Sequence, residues 1–465
     1  MDQILQYIEA NKERYLSELK DFLAIPSVSS QSKHNGDIQL CAQWVAEHMK
    51  SIGMENVAIM STPGHPVVYS EWLGAPGAPT VLFYGHYDVQ PVDPLNLWTS
   101  PPFEMSIREG NIFARGSADD KGQVFIHFKG IEALMKHRGT LPVNIKMLIE
   151  GEEEIGSRNL DDFVKGHKEL LKADLVLISD SSMYAKGVPS IAYGLRGLSY
   201  LEIEVTGPNR DLHSGSFGGA VHNPAQALSE LIASLHDKNN KVNIPGFYKD
   251  VRPLTAVERN AYKKLPYSDK AYAKELGVKA LWGEKGFSTH ERTWARPTLE
   301  VNGMWGGYIG EGAKTVLPSK AFTKISCRLV PDQASDKISK LVVKHIKKIA
   351  PKSVDIKVTL HHGGEPAITP IDSPGVKAAV SALQKGFGKK PLYQREGGSI
   401  PIVVQFKKLL GLDTVLLGFG LPEENAHSPN EFLNVNNFYG GIRTSVHFFN
   451  ELPNFWKARP TKRKR

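Results

Sequence analysis

Only two cysteines, Cys41 and Cys327, occur in 465 residues. A disulfide framework is therefore excluded, and with no secretory segment both are expected as free buried thiols. No apolar run approaches the roughly 18 residues needed to cross a bilayer. The opening Met1-Asp2-Gln3-Ile4 leads into a charged amphipathic pattern rather than a signal peptide. A cytoplasmic location without membrane attachment is the expectation. Internal repeats and low-complexity segments are also missing, which excludes solenoids and fibres. Charge of one sign is scarce in the body of the chain. The net charge is +8, yet Lys457, Arg459, Lys462, Arg463, Lys464 and Arg465 supply six of it with no acidic residue between 457 and 465. The remaining +2 is close to neutral, so the tail reads as a solvated terminus and nucleic acid is not the expected partner.

What is present suits a globular protein: 41% of the residues are hydrophobic and 23% charged. The length exceeds what one core supports, about 250–300 residues, so two domains are expected. Ile4, Ile8, Tyr15, Leu19, Phe22 and Leu23 recur at helical spacing. A second helix carries Ile38, Cys41, Val45, Met49 and Ile52 before Gly53 stops it. Short apolar runs at 80–84, 143–149 and 174–178, with a helical pattern over 121–136, predict an α/β domain with a parallel or mixed sheet. Near Ser190 the pattern changes. Tyr200, Glu202, Glu204 and Thr206 alternate with Leu201, Ile203 and Val205, which predicts a strand with one wet face. A helix after Pro224, a polar stretch over 237–290 and a strand over 321–329 follow, and buried strands return after about 368. The expected organisation is a discontinuous domain, 1–188 with 366–465, holding an inserted α+β domain, 189–365.

Acidic and imidazole groups gather at the ends of the predicted strands, where open α/β sheets bind ligands. Gly85-His86-Tyr87-Asp88 follows the first strand, and Asp88, two residues on, is placed to accept the second ring N–H of His86. Ala114-Arg115-Gly116-Ser117-Ala118-Asp119-Asp120 leads into a helix, where Asp119 is either a helix cap or a carboxylate bridging two cations. Glu152, Glu153 and Glu154 follow the next strand, and three adjacent carboxylates repel one another unless cations or solvent compensate. Asp180 follows the 174–178 strand, and His427 lies in Asn425-Ala426-His427-Ser428. Each motif alone has a structural explanation; together they supply the His, Asp and Glu inventory of a paired divalent-cation site.

These motifs closely resemble the co-catalytic di-metal peptidase family that includes cytosolic nonspecific dipeptidase, carnosine dipeptidase, aminoacylase and carboxypeptidase G, and the likeness spans nearly the whole chain. It implies a mixed-sheet metallopeptidase catalytic domain with an inserted lid and dimerisation domain. It also implies two divalent cations per subunit, zinc or manganese: His86 and Asp180 on one, Glu154 and His427 on the other, Asp119 as the bridge. Asp88 resembles the residue that orients His86, and Glu153 resembles the general base. The following Ile155-Gly156-Ser157 matches the end of that motif and sets the frame of the glutamate run.

Further segments resemble the dipeptidase branch. Asp211-Leu212-His213-Ser214-Gly215 matches a lid motif whose histidine reaches the partner subunit's active site, which implies a homodimer. Lys314-Thr315-Val316-Leu317-Pro318, Arg328-Leu329-Val330-Pro331 and Arg395-Glu396-Gly397-Gly398-Ser399 match pocket segments, so Thr315, Arg328 and Ser399 are expected to contact substrate. A planar guanidinium suits the free carboxylate of a short peptide. The implied activity is hydrolysis of dipeptides or very short peptides, with Glu153 deprotonating a water shared by the cations and His213 stabilising the oxyanion. The competing expectations are an N-acyl amino acid deacylase and, from another class, a non-catalytic binding protein. The role of 237–290 is left open.

Overall fold

The computed structural model of the chain describes residues 1–398 and 400–456; Ser399 and the basic tail from Lys457 lie outside the described residues. The chain divides into two compact units. The first comprises Met1–Tyr193, Thr369–Gln394 and the chain from Ile402, and the second comprises Gly194–Ile368 and Arg395–Pro401.

A mixed sheet runs through the first unit. Glu55–Met60 pairs antiparallel with Val67–Trp72, which pairs antiparallel with Asn144–Glu150. Thr80–His86, Leu175–Ile178 and Thr414–Leu416 follow in parallel. These strands read as continuous apolar runs because both faces of the sheet are covered. Val81, Phe83, Ile145 and Met147 enter a core shared with the helices Asn35–Ser51, Lys121–Arg138 and Val435–Phe455. On the other face Tyr84 meets the ring of Phe406 in Pro401–Leu410.

Lys121–Arg138 is the central column of this unit, and every residue from Lys121 to Leu134 is buried. Its two interior ammonium groups have specific partners. Lys121 Nζ donates to the carbonyls of Ile25 at 2.6 Å and Phe22 at 3.1 Å, at the C-terminal end of Lys12–Leu23, where orphan carbonyls and the helix dipole favour a cation. Lys129 Nζ binds Glu132 at 2.7 Å and Glu18. The N-terminal helical periodicity is realised as two helices, Asp2–Ala10 and Lys12–Leu23, rather than one. The break falls at Asn11, whose amide reaches back to the carbonyl of Tyr7 at 2.8 Å, a local hydrogen bond that competes with the helical ladder.

The second unit is α+β. Its antiparallel sheet runs Thr298–Gly306, Lys320–Leu329, Gly197–Thr206, Asp355–Gly364. Leu201, Ile203, Val205, Ile325, Cys327 and Leu329 form one face and pack on the helices Pro224–Ser234 and Ser335–Ile349. The polar stretch contains the short helices Ala256–Lys263 and Asp269–Glu275 and runs into Thr289–Trp294. The first and last open with capping boxes, Thr255 with Glu258 and Ser288 with Glu291. Helices of six to eight residues are too short to leave a readable periodicity. Cys41 and Cys327 are free and buried. Among the described residues no helix is long and apolar enough to cross a membrane.

Gly130 of the central column faces Ser445 of Val435–Phe455: a Cβ there would lie 2.4 Å from Ser445 Oγ and 2.7 Å from its Cβ. Alanine gains about 1 kcal/mol of helix propensity, but overpacking of a closed contact costs about 1–3 kcal/mol. Gly130→Ala is therefore expected to lower the midpoint of urea unfolding. A raised midpoint would show that the contact yields.

Candidate metal centre

Three neighbouring parallel strands deliver the candidate ligands from their C-terminal ends. His86 is the last residue of Thr80–His86. Glu153 and Glu154 stand in a 3-10 turn, Glu153–Ile155, just past Asn144–Glu150, and Asp180 follows Leu175–Ile178. Asp119 comes from the loop ahead of Lys121–Arg138, and His427 from the loop after Thr414–Leu416. In open α/β sheets this edge is where ligands bind, because the connections diverge there and leave a crevice.

Asp119 is the centre of the cluster. Its Oδ1 lies 3.1 Å from His86 Nε2 and its Oδ2 2.8 Å from His427 Nε2. His86, Asp119 and Asp180 form one group, and Asp119, Glu154 and His427 another, with the ligand atoms of each within 4.8 Å of one another. His86 Nε2 is 4.0 Å from Asp180, and His427 Nε2 is 3.2 Å from Glu154. His427 is held at a φ of +64°, a left-handed conformation that costs a non-glycine residue about 1–3 kcal/mol and that the surrounding loop must impose. A third acidic group, Glu18, His48 and Glu132, differs in kind: Arg14 and Lys129 already neutralise its carboxylates.

The crowding of carboxylates in the cluster shifts its proton affinities. Burial pushes Glu153 up to about 9; His86 opposes the rise, while Asp180, Asp88 and Glu154 add to it. Asp180 is pushed up to about 7 by burial and by Asp119. Hydrogen bonds that its ring donates to Asp119 and Glu154 raise His427 to about 10. Burial alone would lower His86, but its bonds to Asp119 and Asp88 carry it well above the usual range. The protons held by Asp180, His86 and His427 are what divalent cations displace, since metal ligands bind deprotonated. The donor set and its two-group geometry therefore fit a pair of cations sharing Asp119.

Asp88 differs from the expectation. The nearer acceptor for His86 Nδ1 is the main-chain carbonyl of Asp88, at 3.0 Å, with the carboxylate at 3.4 Å. That carboxylate instead receives the backbone N–H groups of Glu153 at 3.2 Å and Glu154 at 3.1 Å. It caps the turn that carries both glutamates, as an anion does at a helix N-terminus. The glutamate run also sorts itself by contact. Glu152 turns away to the amide of Asn159 and the backbone of His65, whereas Glu154 takes the amide of Gln90 at 2.8 Å.

Glu431 was not singled out from the sequence. It is fully buried, and the loop before the central column folds around its carboxylate. Oε1 accepts from the backbone of Ala118 at 2.9 Å and Asp119 at 3.1 Å. Oε2 accepts from Arg115 Nη1 at 2.7 Å and from the backbone of Gly116 at 3.1 Å. The only sequence signal was the presence of a charged residue four positions after His427 in a segment otherwise ending in a strand.

The expected substrate contacts fall in the second unit. His213 and Thr315 come together there. Leu212–His213 pairs with Val316–Leu317, and Ser214 N donates to Thr315 O at 3.0 Å. His213 is exposed, its Nδ1 accepting from Gly215 N at 3.1 Å. Arg328 sits at the end of Lys320–Leu329, half-buried.

Replacing the Glu431 carboxylate by an amide puts a donor where only donors face it, so Glu431→Gln is expected to misplace Asp119. Outer-shell partners of this kind are worth about 10–100-fold in metal affinity. Titration with Co²⁺, followed by its visible absorption, should show that loss in a variant whose circular dichroism is unchanged. Undiminished affinity would remove Glu431 from this role.

Comparison with known proteins matches the description "Peptidase family M20/M25/M40" to residues 82–451. The Cys-Gly metallodipeptidase dug1 of Schizosaccharomyces pombe is 33% identical over 468 residues, covering 97% of this chain and 98% of its own. The crystal structure of human carnosine dipeptidase 1 aligns with a TM-score of 0.80 at 32% identity, over 97% of this chain and 98% of that one. The M20 family metallo-carboxypeptidase Sso-CP2 from Sulfolobus solfataricus aligns with a TM-score of 0.82 at 36% identity, over 95% and 99%. With a family match over most of its length and relatives at this identity end to end, the chain belongs to peptidase family M20/M25/M40 and is a peptidase.

Proposed function

We propose that the protein is a dipeptidase that uses two divalent cations, zinc or manganese, held by His86, Asp119, Asp180, Glu154 and His427. The observation that carries this reading is Asp119, whose two carboxylate oxygens each face a different ligand group. The names of the relatives, a Cys-Gly metallodipeptidase and a carnosine dipeptidase, support it. Two cations bound there would supply Lewis acidity and so make water a stronger acid at neutral pH.

The chain's own residues do the rest. Glu153, set against Asp180 and Glu154 and capped in place by Asp88, takes the proton of the attacking water and hands it to the leaving amine. Arg328 binds the free carboxylate of the peptide through a planar pair of N–H groups and so selects short substrates. Thr315 and Ser399 are read as further substrate contacts. His213 donates to the oxyanion of the tetrahedral intermediate.

The first unit is read as the catalytic domain and the second as the lid and dimerisation domain. The working form is read as a homodimer in which His213 serves the partner's active site. Two observations support this: His213 is exposed, and the edge strand Thr298–Gly306 leads into exposed Tyr308 and Ile309 and itself exposes Val301, Met304 and Trp305, an apolar edge of the kind that pairs with another chain. A cytoplasmic location is part of the same reading, since both cysteines are free.

Metal-stripped protein is expected to cleave Ala-Ala only after Zn²⁺ or Mn²⁺ is added, and to leave N-acetyl-alanine intact. Cleavage of the acetylated compound alone would make the protein a deacylase. Glu153→Gln should bind both cations yet lose about 10²–10⁴ in turnover.

Shared sites give a second test. Glu153→Gln and His213→Ala are each expected to be nearly inactive. Mixed and allowed to exchange subunits, they should recover about one quarter of wild-type activity, because half of the dimers then carry one intact site. No recovery despite exchange would place His213 in its own subunit's site.

A further inference from the structure

The central column Lys121–Arg138 carries two buried polar side chains, Gln123 and His127, neither of them a candidate metal ligand. Four residues apart, they share one face of the helix. Both reach segments that present metal ligands. Gln123 Nε2 donates to the carbonyl of Ala118, next to Asp119, at 2.8 Å, and its Oε1 accepts from the backbone of Phe419 at 2.8 Å. His127 Nε2 lies 2.6 Å from the hydroxyl of Ser179, next to Asp180, and its Nδ1 lies 3.0 Å from the hydroxyl of Ser445.

Proton counting fixes the state of this imidazole. Ser179 Oγ also lies 2.6 Å from the carbonyl of Leu417. A carbonyl accepts and never donates, so the single hydroxyl proton of Ser179 goes to Leu417, and its oxygen has only lone pairs to offer His127. Nε2 therefore carries the ring proton. His127 is fully buried between the rings of Phe83 and Phe419, and burial pushes its pKa down to about 3, so the ring is neutral. Nδ1 is then a bare acceptor, filled by the hydroxyl of Ser445. Each polar atom in the chain from Ser445 through His127 and Ser179 to Leu417 has one role, and an apolar side chain in place of His127 leaves Ser179 without its donor.

The chain of bonds ends where two strands end. Ser179 follows Leu175–Ile178 and Leu417 follows Thr414–Leu416, parallel neighbours joined there by Leu417 N to Ile178 O at 2.8 Å. Beyond Asp180 the two segments are joined again, by Met183 N to Gly420 O at 2.8 Å. We propose that His127 is a positioning residue for Asp180: through Ser179 it fixes the strand end from which that carboxylate meets its cation. The inference rests on the two-cation reading, in which His86 and Asp180 hold one cation and Glu154 and His427 the other. It implies an asymmetry. Losing the His127 donor loosens the cation on Asp180 and spares the other, because Asp88 caps the turn of Glu154 and Glu431 holds the loop of Asp119.

The test titrates the metal-free full chain with Co²⁺, follows visible absorption and reads the two binding steps separately. His127→Leu keeps apolar bulk and removes the donor; it is expected to weaken one step by about 10–100-fold and spare the other. His127→Gln, whose amide nitrogen reaches the place of Nε2, should restore the weakened step. Ser179→Ala should reproduce the loss, and the double variant His127→Leu with Ser179→Ala should lose no more than either alone, because both break one link. Should His127→Leu fail to fold, Ser179→Ala and His127→Gln carry the same comparison. Wild-type affinity at both steps in folded His127→Leu or Ser179→Ala overturns the inference. Equal losses at both steps, a glutamine no better than leucine, or additive losses in the double variant overturn it as well, since a histidine that only packs the core would give them. Fewer than two Co²⁺ ions bound by the wild-type protein overturns the two-cation reading, and the inference with it.

Discussion

Crowded negative charge is the constraint on which the catalytic unit depends. Asp119, Asp180, Glu153 and Glu154 converge where three parallel strands end, and a folded chain tolerates such a convergence only if something answers the repulsion. Protons and imidazoliums answer it in the bare protein, and cations answer it better. The surrounding structure reads as the means of holding the carboxylates together. The 3-10 turn of Glu153–Ile155 is capped by Asp88, the loop of Asp119 is wound around Glu431, and His427 is kept in a costly backbone conformation.

Two of these supports share a design. Asp88 and Glu431 are both fully buried, and both carboxylates accept from backbone N–H groups of the segments that carry the reacting side chains, Glu431 from the Arg115 guanidinium as well. Backbone bonds leave less freedom than side-chain bonds, because the peptide plane fixes the donor direction. The cluster is therefore positioned largely through the main chain.

Much of this was legible before the structure. His86, Glu153, Glu154 and Asp180 stand within a few residues of the ends of the apolar runs 80–84, 143–149 and 174–178, whose continuity marks buried parallel strands, so sequence position alone put them on one edge. The alternation of Gly197–Thr206 likewise announced a different kind of sheet. Illegible were features that depend on long-range contact. Nothing local separates Glu431, with both oxygens occupied, from a surface glutamate. The partner of His86 Nδ1 depended on whether the chain stays extended after residue 86, and Asp88 instead turns its carbonyl to the ring. The polar stretch hid its helices because each is held by end caps and packing rather than by a repeating apolar face.

The dependence of Asp119 on Glu431 spans 312 residues, and His427 lies in the same late segment. On a ribosome adding roughly 5–20 residues per second, the bridge loop waits about 15–60 s for the carboxylate that will organise it. Until then the growing chain has its early acidic residues without their holder or their second imidazole. Biosynthesis order thus delays the site to the end of synthesis: its parts are all present only once the chain has passed His427 and Glu431, and the core helix Val435–Phe455 follows them.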